Sequence, residues 1–564
     1  YFQVGAGTSG CVVASRLSEA NNTRVLVLEA GDEDVPNAVI SVPGMYGQAF
    51  NTKLDWGFET IPQKQACKSL YNQKSRWPRG KVLGGSSSIN ALIYTRGSPR
   101  DFDLWSQMGA TGWNYSEILP FYKKLESSGA RDPLKMRGND GPLRTTMFRE
   151  LEKSEDFVNA GLELGYKKGD CNGGQFEGFH FVEATMRNGA RETASTAYIR
   201  PAVRERPNQL HVVVNAQVEK VVFEGKTAVG VTFIKNGIRS FVRARKEVIL
   251  SAGAVSTPHL LMLSGIGDKR HLSSLNITTI ADIPGVGANL QDHFLTFGHF
   301  IDVEAKVRSL YDFLARHAMR SLFTLTISFP QRGNTRCGTT FISLIQNDGV
   351  ICSKPKKYFQ HGRQSETKSS RLHHFFNLVN PQFRSTAFNQ AKNTKQELLS
   401  TFSIAPCLMT PHSSGSIRLK SSDPLEMPLI DPNYLSDPKD VELMVQGIWQ
   451  IQQLFANSIQ SSSSYTTNAR TNPGNILPVE DLYKCLVRME TMTSYHPCCT
   501  AKMGKDKMAV VDPRLRVYNV QGLRIADASI MPVITSANTQ GPCYMIGEKA
   551  AHMIKQDWDL LLRN

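Results

Sequence analysis

Three glycines and one acid near the start of the chain are spaced for nucleotide chemistry. Gly5, Gly7 and Gly10 punctuate Tyr1-Phe2-Gln3-Val4-Gly5-Ala6-Gly7-Thr8-Ser9-Gly10, a strand-like run that meets a Gly-x-Gly-x-x-Gly turn and then apolar residues at helical spacing. Such a turn aims bare backbone amides and a helix N-terminus, here opened by Thr8 and Ser9, at a pyrophosphate. Gly5 is expected to make the tight turn, Gly7 to let the backbone approach the ligand, and Gly10 to let the helix lie close to its strand. The next apolar run, Arg24 to Gly31, ends in Glu29 and Ala30. Glu29 stands about twenty residues beyond the last glycine, where a dinucleotide site places a carboxylate for a ribose hydroxyl. This chemistry by itself leaves NAD and FAD both open.

Two further stretches carry reactive or ligand-facing groups. Arg79-Gly80-Lys81-Val82-Leu83-Gly84-Gly85-Ser86-Ser87-Ser88-Ile89-Asn90-Ala91 sets a glycine pair before three serines, suited to a second phosphate or a ring-edge contact. A glycine turn with capping serines has the same composition. Near the end, Ser494-Tyr495-His496-Pro497 holds a histidine before proline, a position biased away from helix, so its ring is expected in a fixed turn. Histidine titrates near neutrality and suits the removal of a hydroxyl proton. Asn538, in Thr535-Ser536-Ala537-Asn538-Thr539-Gln540-Gly541-Pro542, can hydrogen-bond an oxygen or a developing alkoxide but cannot act as a base.

The elements that must position these groups alternate strand and helix early and turn antiparallel later. Glu247 to Ala254 reads as a buried strand returning to a glycine turn, with Ala252 on the cofactor side. His211 to Phe223 reads as two strands, and Thr227–Ile234 with Arg239–Arg245 as an antiparallel pair. Residues 36 to 75 read as irregular. A helix is expected around Phe157 to Leu164, another over Val441 to Phe455, and strands over Thr401–Ala405 and Gly415–Leu419. Pro542 suits the first turn of a final helix over Cys543 to Ile554. Its N-terminus would present partial positive charge.

With 564 residues, 41% of them hydrophobic and 20% charged, the chain is too long for one core and fits two or three joined globular domains. The net charge of +15 reads as a solubilising basic surface. Part of it is concentrated between Lys354 and Lys395, read as a surface insertion without the aromatic interleaving of a nucleic-acid platform. No run reaches the roughly 18 apolar residues of a membrane span. The chain starts within a strand, as a mature form or a fragment would. None of the ten cysteines forms a Cys-x-x-Cys or a zinc spacing, so no metal is expected. Sequons at Asn21, Asn114 and Asn276 make secretion permissible and leave the compartment open. His317, His361, His373, His374 and His412 are assigned no role, and Ser461 to Ser464 reads as a low-complexity loop.

The stretch from Arg76 to Ala91, together with Gly253-Ala254-Val255-Ser256-Thr257-Pro258-His259-Leu260-Leu261-Met262-Leu263-Ser264-Gly265-Ile266-Gly267, resembles the two signature motifs of the glucose-methanol-choline (GMC) oxidoreductases, FAD-dependent alcohol-oxidising enzymes. Arg191 to Pro201, Gly285 to His293 and Ile430 to Leu435 also resemble family stretches, and the wording is nearest to arthropod members of the glucose dehydrogenase and ecdysone oxidase type. Likeness is weakest over 330 to 400.

The resemblance implies an α/β fold: a Rossmann-like FAD-binding domain with a parallel sheet and helices, over 1–150, 191–300 and 495–564, and a substrate domain with an antiparallel sheet and covering helices, over 151–190 and 301–494. It implies that Glu29 meets FAD adenosine and that the Val218 backbone meets the adenine. Gly5, Gly7, Thr8, Ser9, Gly10, Ala30, Arg79, Gly84, Gly85, Ser86, Asn90, Ala91, Ala252, Asp527, Ala528 and Gln540 would join them around the cofactor. His496 would take the alcohol proton as hydride leaves for flavin N5, with Asn538 as its partner. Ile89 stands where members with covalently attached flavin carry His, so FAD is expected without a covalent bond. The substrate would be a sugar or steroid-like alcohol, and the electron acceptor, oxygen or quinone-like, stays open.

Three departures qualify these expectations. Cys499 replaces a glycine and Ala501 a cysteine beside the base, putting a side chain where φ > 0 is expected. Ser414 stands in a Ser-Arg-Gly pattern, losing a cation. A lyase on the same fold and a non-enzymatic metabolite-binding relative are the alternatives.

Overall fold

The computed structural model describes residues 1–147, 152–296, 299–304, 323–330, 337–344, 347–348, 399–458 and 479–560. Strand β1 (Phe2–Val4), helix α1 (Thr8–Leu17) and strand β2 (Val25–Leu28) form in the expected order. Both strands are short apolar runs. They pair in parallel, Phe2 with Leu26 through Val4 with Leu28.

The sheet is completed from distant parts of the chain. Strands β3 (Leu210–Val213), β4 (Val248–Leu250) and β5 (Leu523–Ile525) give the parallel order β3-β2-β1-β4-β5. Parallel strands of this kind are covered on both faces and therefore read as continuous Val, Leu and Ile rather than as alternation. Helix α2 (Gly253–Leu263) follows β4, and α3 (Gln540–Asp557) packs against α1. A Cβ on Gly547 of α3 would lie 2.7 Å from Val12 Cβ; only a glycine lets the two helices approach so closely.

The expected hairpin appears as a three-stranded antiparallel sheet of Ala216–Glu224, Thr227–Lys235 and Ile238–Arg243. Further antiparallel pairing joins Phe294–Thr296 to Cys407–Leu408 and to Thr491–Thr493, and Phe323–Pro330 to both Cys337–Leu344 and Gly178–Phe181. The helices expected near 157–164 and 441–455 are Glu152–Glu163 and Pro438–Ser458. The strands expected near 401–405 and 415–419 are Leu399–Ile404 and Ser416–Arg418. The final helix begins at Gln540 rather than Cys543, which places Pro542 inside its first turn.

Residues 36 to 75 depart from the irregular reading. They hold a helix at Ala38–Ser41, a 3-10 segment at Pro43–Ala49 and the strand Phe58–Glu59, which pairs with Arg76–Trp77. Partners distant in sequence create this order, and local periodicity does not register it. The basic stretch 354–395, Ser461 to Ser464, His317, His361, His373 and His374 lie outside the described residues. Among the described residues, no helix is long and apolar enough to cross a membrane, and no cluster of His, Cys, Asp and Glu could hold a metal ion.

Candidate active site

The glycine loop and Glu29 build one end of a cavity of about 470 Å³. Gly5 has φ +87° and donates to the Leu28 carbonyl at 2.9 Å, which makes the turn at the end of β1. Glu29 is buried, and each of its carboxylate oxygens accepts one backbone N–H at 2.8 Å, from Ala6 and from Gly31. Burial raises its pKa, opposed by these two donors. Each oxygen keeps a lone pair for a ligand hydroxyl. Ala30 and Val218 line the same end.

Gly10 and Gly84, grouped around the cofactor by the resemblance, are not among the residues that line the cavity. A Cβ on Gly10 would stand 2.2 Å from the Gly5 carbonyl oxygen, so its role is the close fit of helix to turn. Gly84, at φ +89°, donates its N–H to the Ala6 carbonyl at 2.8 Å and ties the second glycine stretch to the first. Gly7, Thr8, Ser9, Gly85 and Ser86 line the cavity where the two glycine stretches meet. Gly85 shows how tightly the two loops meet, since a Cβ there would lie 2.6 Å from Gly7 Cα.

Asp527 and Ala252 lie on the side of the cavity expected of them. Both line the cavity, as does Ala528. The Asp527 carboxylate, however, is filled by protein donors: Gly253 N and Thr257 Oγ1 on one oxygen, Ser529 N and Oγ on the other, at 2.6–2.9 Å. Its side chain therefore knits β5 to α2. The Ala252 N–H is likewise taken by Thr257 Oγ1 at 3.1 Å.

The same cavity is lined by His496 and Asn538. Tyr495 adopts φ +66°, and its carbonyl accepts from Arg79 Nη2 at 2.9 Å. The His496 backbone N–H donates to Asp292 at 2.8 Å. Its imidazole lies between two partners: Nε2 is 3.1 Å from Asn538 Nδ2, and Nδ1 is 3.0 Å from His293 Nδ1. Burial, then His293 and Arg79, hold the His496 pKa well below the ordinary histidine value, so the ring is neutral. Asn90 and Gln540 hydrogen-bond each other, Gln540 reaches Thr185 Oγ1 at 3.1 Å, and both line the cavity with Ala91, Arg79 and Ile89.

Cys499 meets the backbone demand of the glycine it replaces by adopting φ +73°. The loop is held by Cys499 N on the Ala528 carbonyl at 3.1 Å and by paired bonds between Cys498 and Gln291. Side chain and left-handed backbone thus coexist beside the base.

Three contributors were missed by sequence reasoning: Thr95, Asp292 and His293. The latter two end the Gly285–His293 stretch, visible as a family-like segment but silent about its target. Thr95, whose Oγ1 accepts the Asn538 backbone N–H at 3.0 Å, follows the two-residue strand Ile93–Tyr94 and carries no signal of its own.

The cavity suits a dinucleotide with a flavin end. The first turns of α1 and α3 both begin at the cavity wall with no side-chain cap. Two uncapped helix N-termini offer orphan N–H donors to anionic groups. Residues 1–295 match the GMC oxidoreductase N-terminal family and residues 411–547 its C-terminal counterpart. The chain belongs to the GMC oxidoreductase family. It is 35% identical to the alcohol dehydrogenase [acceptor] of Pseudomonas putida, covering 99% of this chain and 96% of the relative. It is 33% identical to the glucose dehydrogenase [FAD, quinone] of Drosophila melanogaster, covering 99% and 87%. Among solved structures, pyridoxine 4-oxidase from Mesorbium loti superposes with a TM-score of 0.79 at 25% identity, covering 98% of this chain and 99% of the other. This GMC oxidoreductase is an FAD-dependent enzyme that oxidises alcohols.

Proposed function

We propose that this GMC oxidoreductase oxidises a small sugar or steroid-like alcohol with His496 as base and Asn538 as oxygen-holding partner, using FAD bound without a covalent link. The observation that carries the reading is the 3.1 Å approach of His496 Nε2 and Asn538 Nδ2 in the cavity that Glu29 also lines. FAD, when bound, supplies the two-electron acceptor for the carbon-bound hydrogen of the alcohol.

The chain's own residues do the rest. Glu29 would receive ribose hydroxyls, the Val218 backbone would meet the adenine, and the α1 N-terminus with Gly7, Thr8, Ser9, Gly85 and Ser86 would hold the pyrophosphate. Asn90, Ala91, Ala528 and Gln540 would border the ring system, where the α3 N-terminus would supply positive potential. Ile89 offers no nucleophile, which supports non-covalent attachment. His496, kept neutral by burial, has an Nε2 lone pair for the hydroxyl proton. The Asn538 amide hydrogens are placed for the alkoxide oxygen. The cavity wall formed by Leu295, Ala405 and Pro424 to Pro428 is predominantly apolar, which favours a substrate with a hydrocarbon face.

The test is the visible spectrum of the purified protein before and after anaerobic addition of glucose, a simple primary alcohol and an ecdysteroid. Bleaching by one of them names the substrate class, and admitting air then separates oxygen from a quinone-like acceptor. A yellow protein that none of a broad alcohol panel bleaches refutes the reading.

A further inference from the structure

His293 sits where the polarity of a hydrogen-bond chain can be read. Thr95 Oγ1 accepts from the Asn538 backbone N–H at 3.0 Å, which leaves its hydroxyl hydrogen to donate to Asn538 Oδ1 at 3.3 Å. The carboxamide turns Oδ1 toward this hydroxyl and Nδ2 toward His496, and Nδ2 can only donate. His496 Nε2, at 3.1 Å, is then the acceptor and carries no hydrogen. In a neutral imidazole the hydrogen must be on Nδ1. That nitrogen faces His293 Nδ1 at 3.0 Å, with the two rings edge to face at 79°. His293 Nδ1 is therefore the acceptor, and its own hydrogen lies on Nε2.

The neighbouring acid does not compete for this role. Asp292 is the residue that would complete a carboxylate–histidine pair, yet both of its oxygens are turned elsewhere. Oδ1 takes the His496 backbone N–H at 2.8 Å, and Oδ2 takes the hydroxyls of Thr493, at 2.7 Å, and Tyr434. Other titratable groups near the pair include Arg79, committed to the Pro78 and Tyr495 carbonyls, Tyr495 itself, and the thiols of Cys407 and Cys498, whose pKa values burial raises. His293 is fully buried, its Nε2 makes no hydrogen bond among the described residues, and backbone of Thr535 and Met409 faces its ring.

We propose that His293 is the positioning residue of the base: its Nδ1 accepts the His496 Nδ1–H, fixing the tautomer whose Nε2 carries no hydrogen and takes the substrate proton once the alcohol displaces the Asn538 amide from it. The step balances without an electron change. The alcohol O–H bond breaks, its proton joins His496 Nε2, and the products are an alkoxide and an imidazolium whose Nδ1–H remains on His293. A neutral acceptor here has a consequence that a carboxylate would not. It orients the base without neutralising the cation formed, so the imidazolium stays a strong partner for the alkoxide. This inference rests on His496 being the base.

The test compares His293→Leu, which has no acceptor, with His293→Gln, whose Oε1 can accept, alongside His496→Ala, in FAD-loaded protein with the alcohol that bleaches the flavin. For His293→Leu we expect kcat to fall about 100-fold, within the range for a misplaced general base, with KM little changed. His293→Gln should recover most of kcat. His293→Phe replaces the Leu variant should that one fail to fold or hold FAD. Wild-type kcat in the apolar variant, or a Gln variant as slow as Leu, overturns the proposal. An active His496→Ala enzyme would instead overturn the assignment of the base, and the two failures are distinguishable.

Discussion

Replacing Gly85 by alanine should weaken cofactor binding through one contact. The new Cβ would sit 2.6 Å from Gly7 Cα, whereas carbons in contact stay near 3.5–4.0 Å. One of the two loops must therefore withdraw by about 1 Å. Gly85 also has φ +56°, a conformation that costs an L-residue about 1–2 kcal/mol. Overpacking adds about 1–3 kcal/mol when the obstacle is backbone that cannot rotate away. The sum is about 2–5 kcal/mol, and the steric share falls on the spacing between the two cofactor loops. If that share is expressed as lost affinity, FAD binds about 5- to 150-fold more weakly. Gly189→Ala is the matched control, at φ +79° with nothing within 4 Å of the new Cβ. It should lower Tm through backbone strain alone and leave FAD affinity untouched. Titration of apoprotein with FAD, followed by flavin fluorescence, reads the affinity. Equal FAD affinity in Gly85→Ala and Gly189→Ala would refute the steric argument.

Other substitutions probe the rest of the site. His496→Ala should keep its flavin spectrum yet reduce the rate of flavin bleaching by alcohol about 10²- to 10⁴-fold, measured by stopped flow. Glu29→Gln presents an amide hydrogen pair to one of two backbone donors, so it should cost about 1–3 kcal/mol and lower FAD affinity in the same titration. His259 lines the cavity, and burial lowers its pKa to about 4. Against about 6.5 in the unfolded chain, its contribution is complete above pH 6.5 and is lost as pH falls toward 4, amounting to about 2 kcal/mol by pH 5. His259→Leu should therefore lose about 2 kcal/mol less stability than wild type between pH 7.5 and 5, by denaturant titration. Parallel losses in the two proteins would contradict this.

The cofactor end was legible because its determinants are local. Gly5, Gly7, Gly10 and Glu29 lie within one strand-turn-helix-strand unit, so their spacing alone predicts their arrangement. What spacing does not resolve is whether a glycine serves a ligand or a neighbouring loop. Gly10 and Gly84 serve loops, and only the position of the Gly5 and Ala6 carbonyls reveals it. Asp527 was legible as a site position, but the destination of its carboxylate depends on Thr257 and Ser529 together. The pairing of His496 with Asn538 was reached through family likeness, since 42 residues separate them. His293 is 203 residues from His496 and carries no motif of its own toward it. Long-range side-chain geometry of that kind is decided by how sheets pack, which periodicity does not encode.

The central sheet and its helices draw on both extremes of the chain. β5 lies beside β4, α3 covers α1, and Ser9 Oγ donates to the Cys543 carbonyl at 2.6 Å across 534 residues of sequence. During synthesis the first strands therefore leave the ribosome long before the segment that completes their layer. At about 5–20 residues per second the delay is roughly half a minute to two minutes. Throughout that interval the apolar face of α1 has no α3 to cover it. Nascent chains of this enzyme should depend on chaperones until the segment carrying β5 and α3 emerges, and cofactor loading should follow that event. A premature stop anywhere before α3 would then yield an aggregating polypeptide rather than a weakened enzyme.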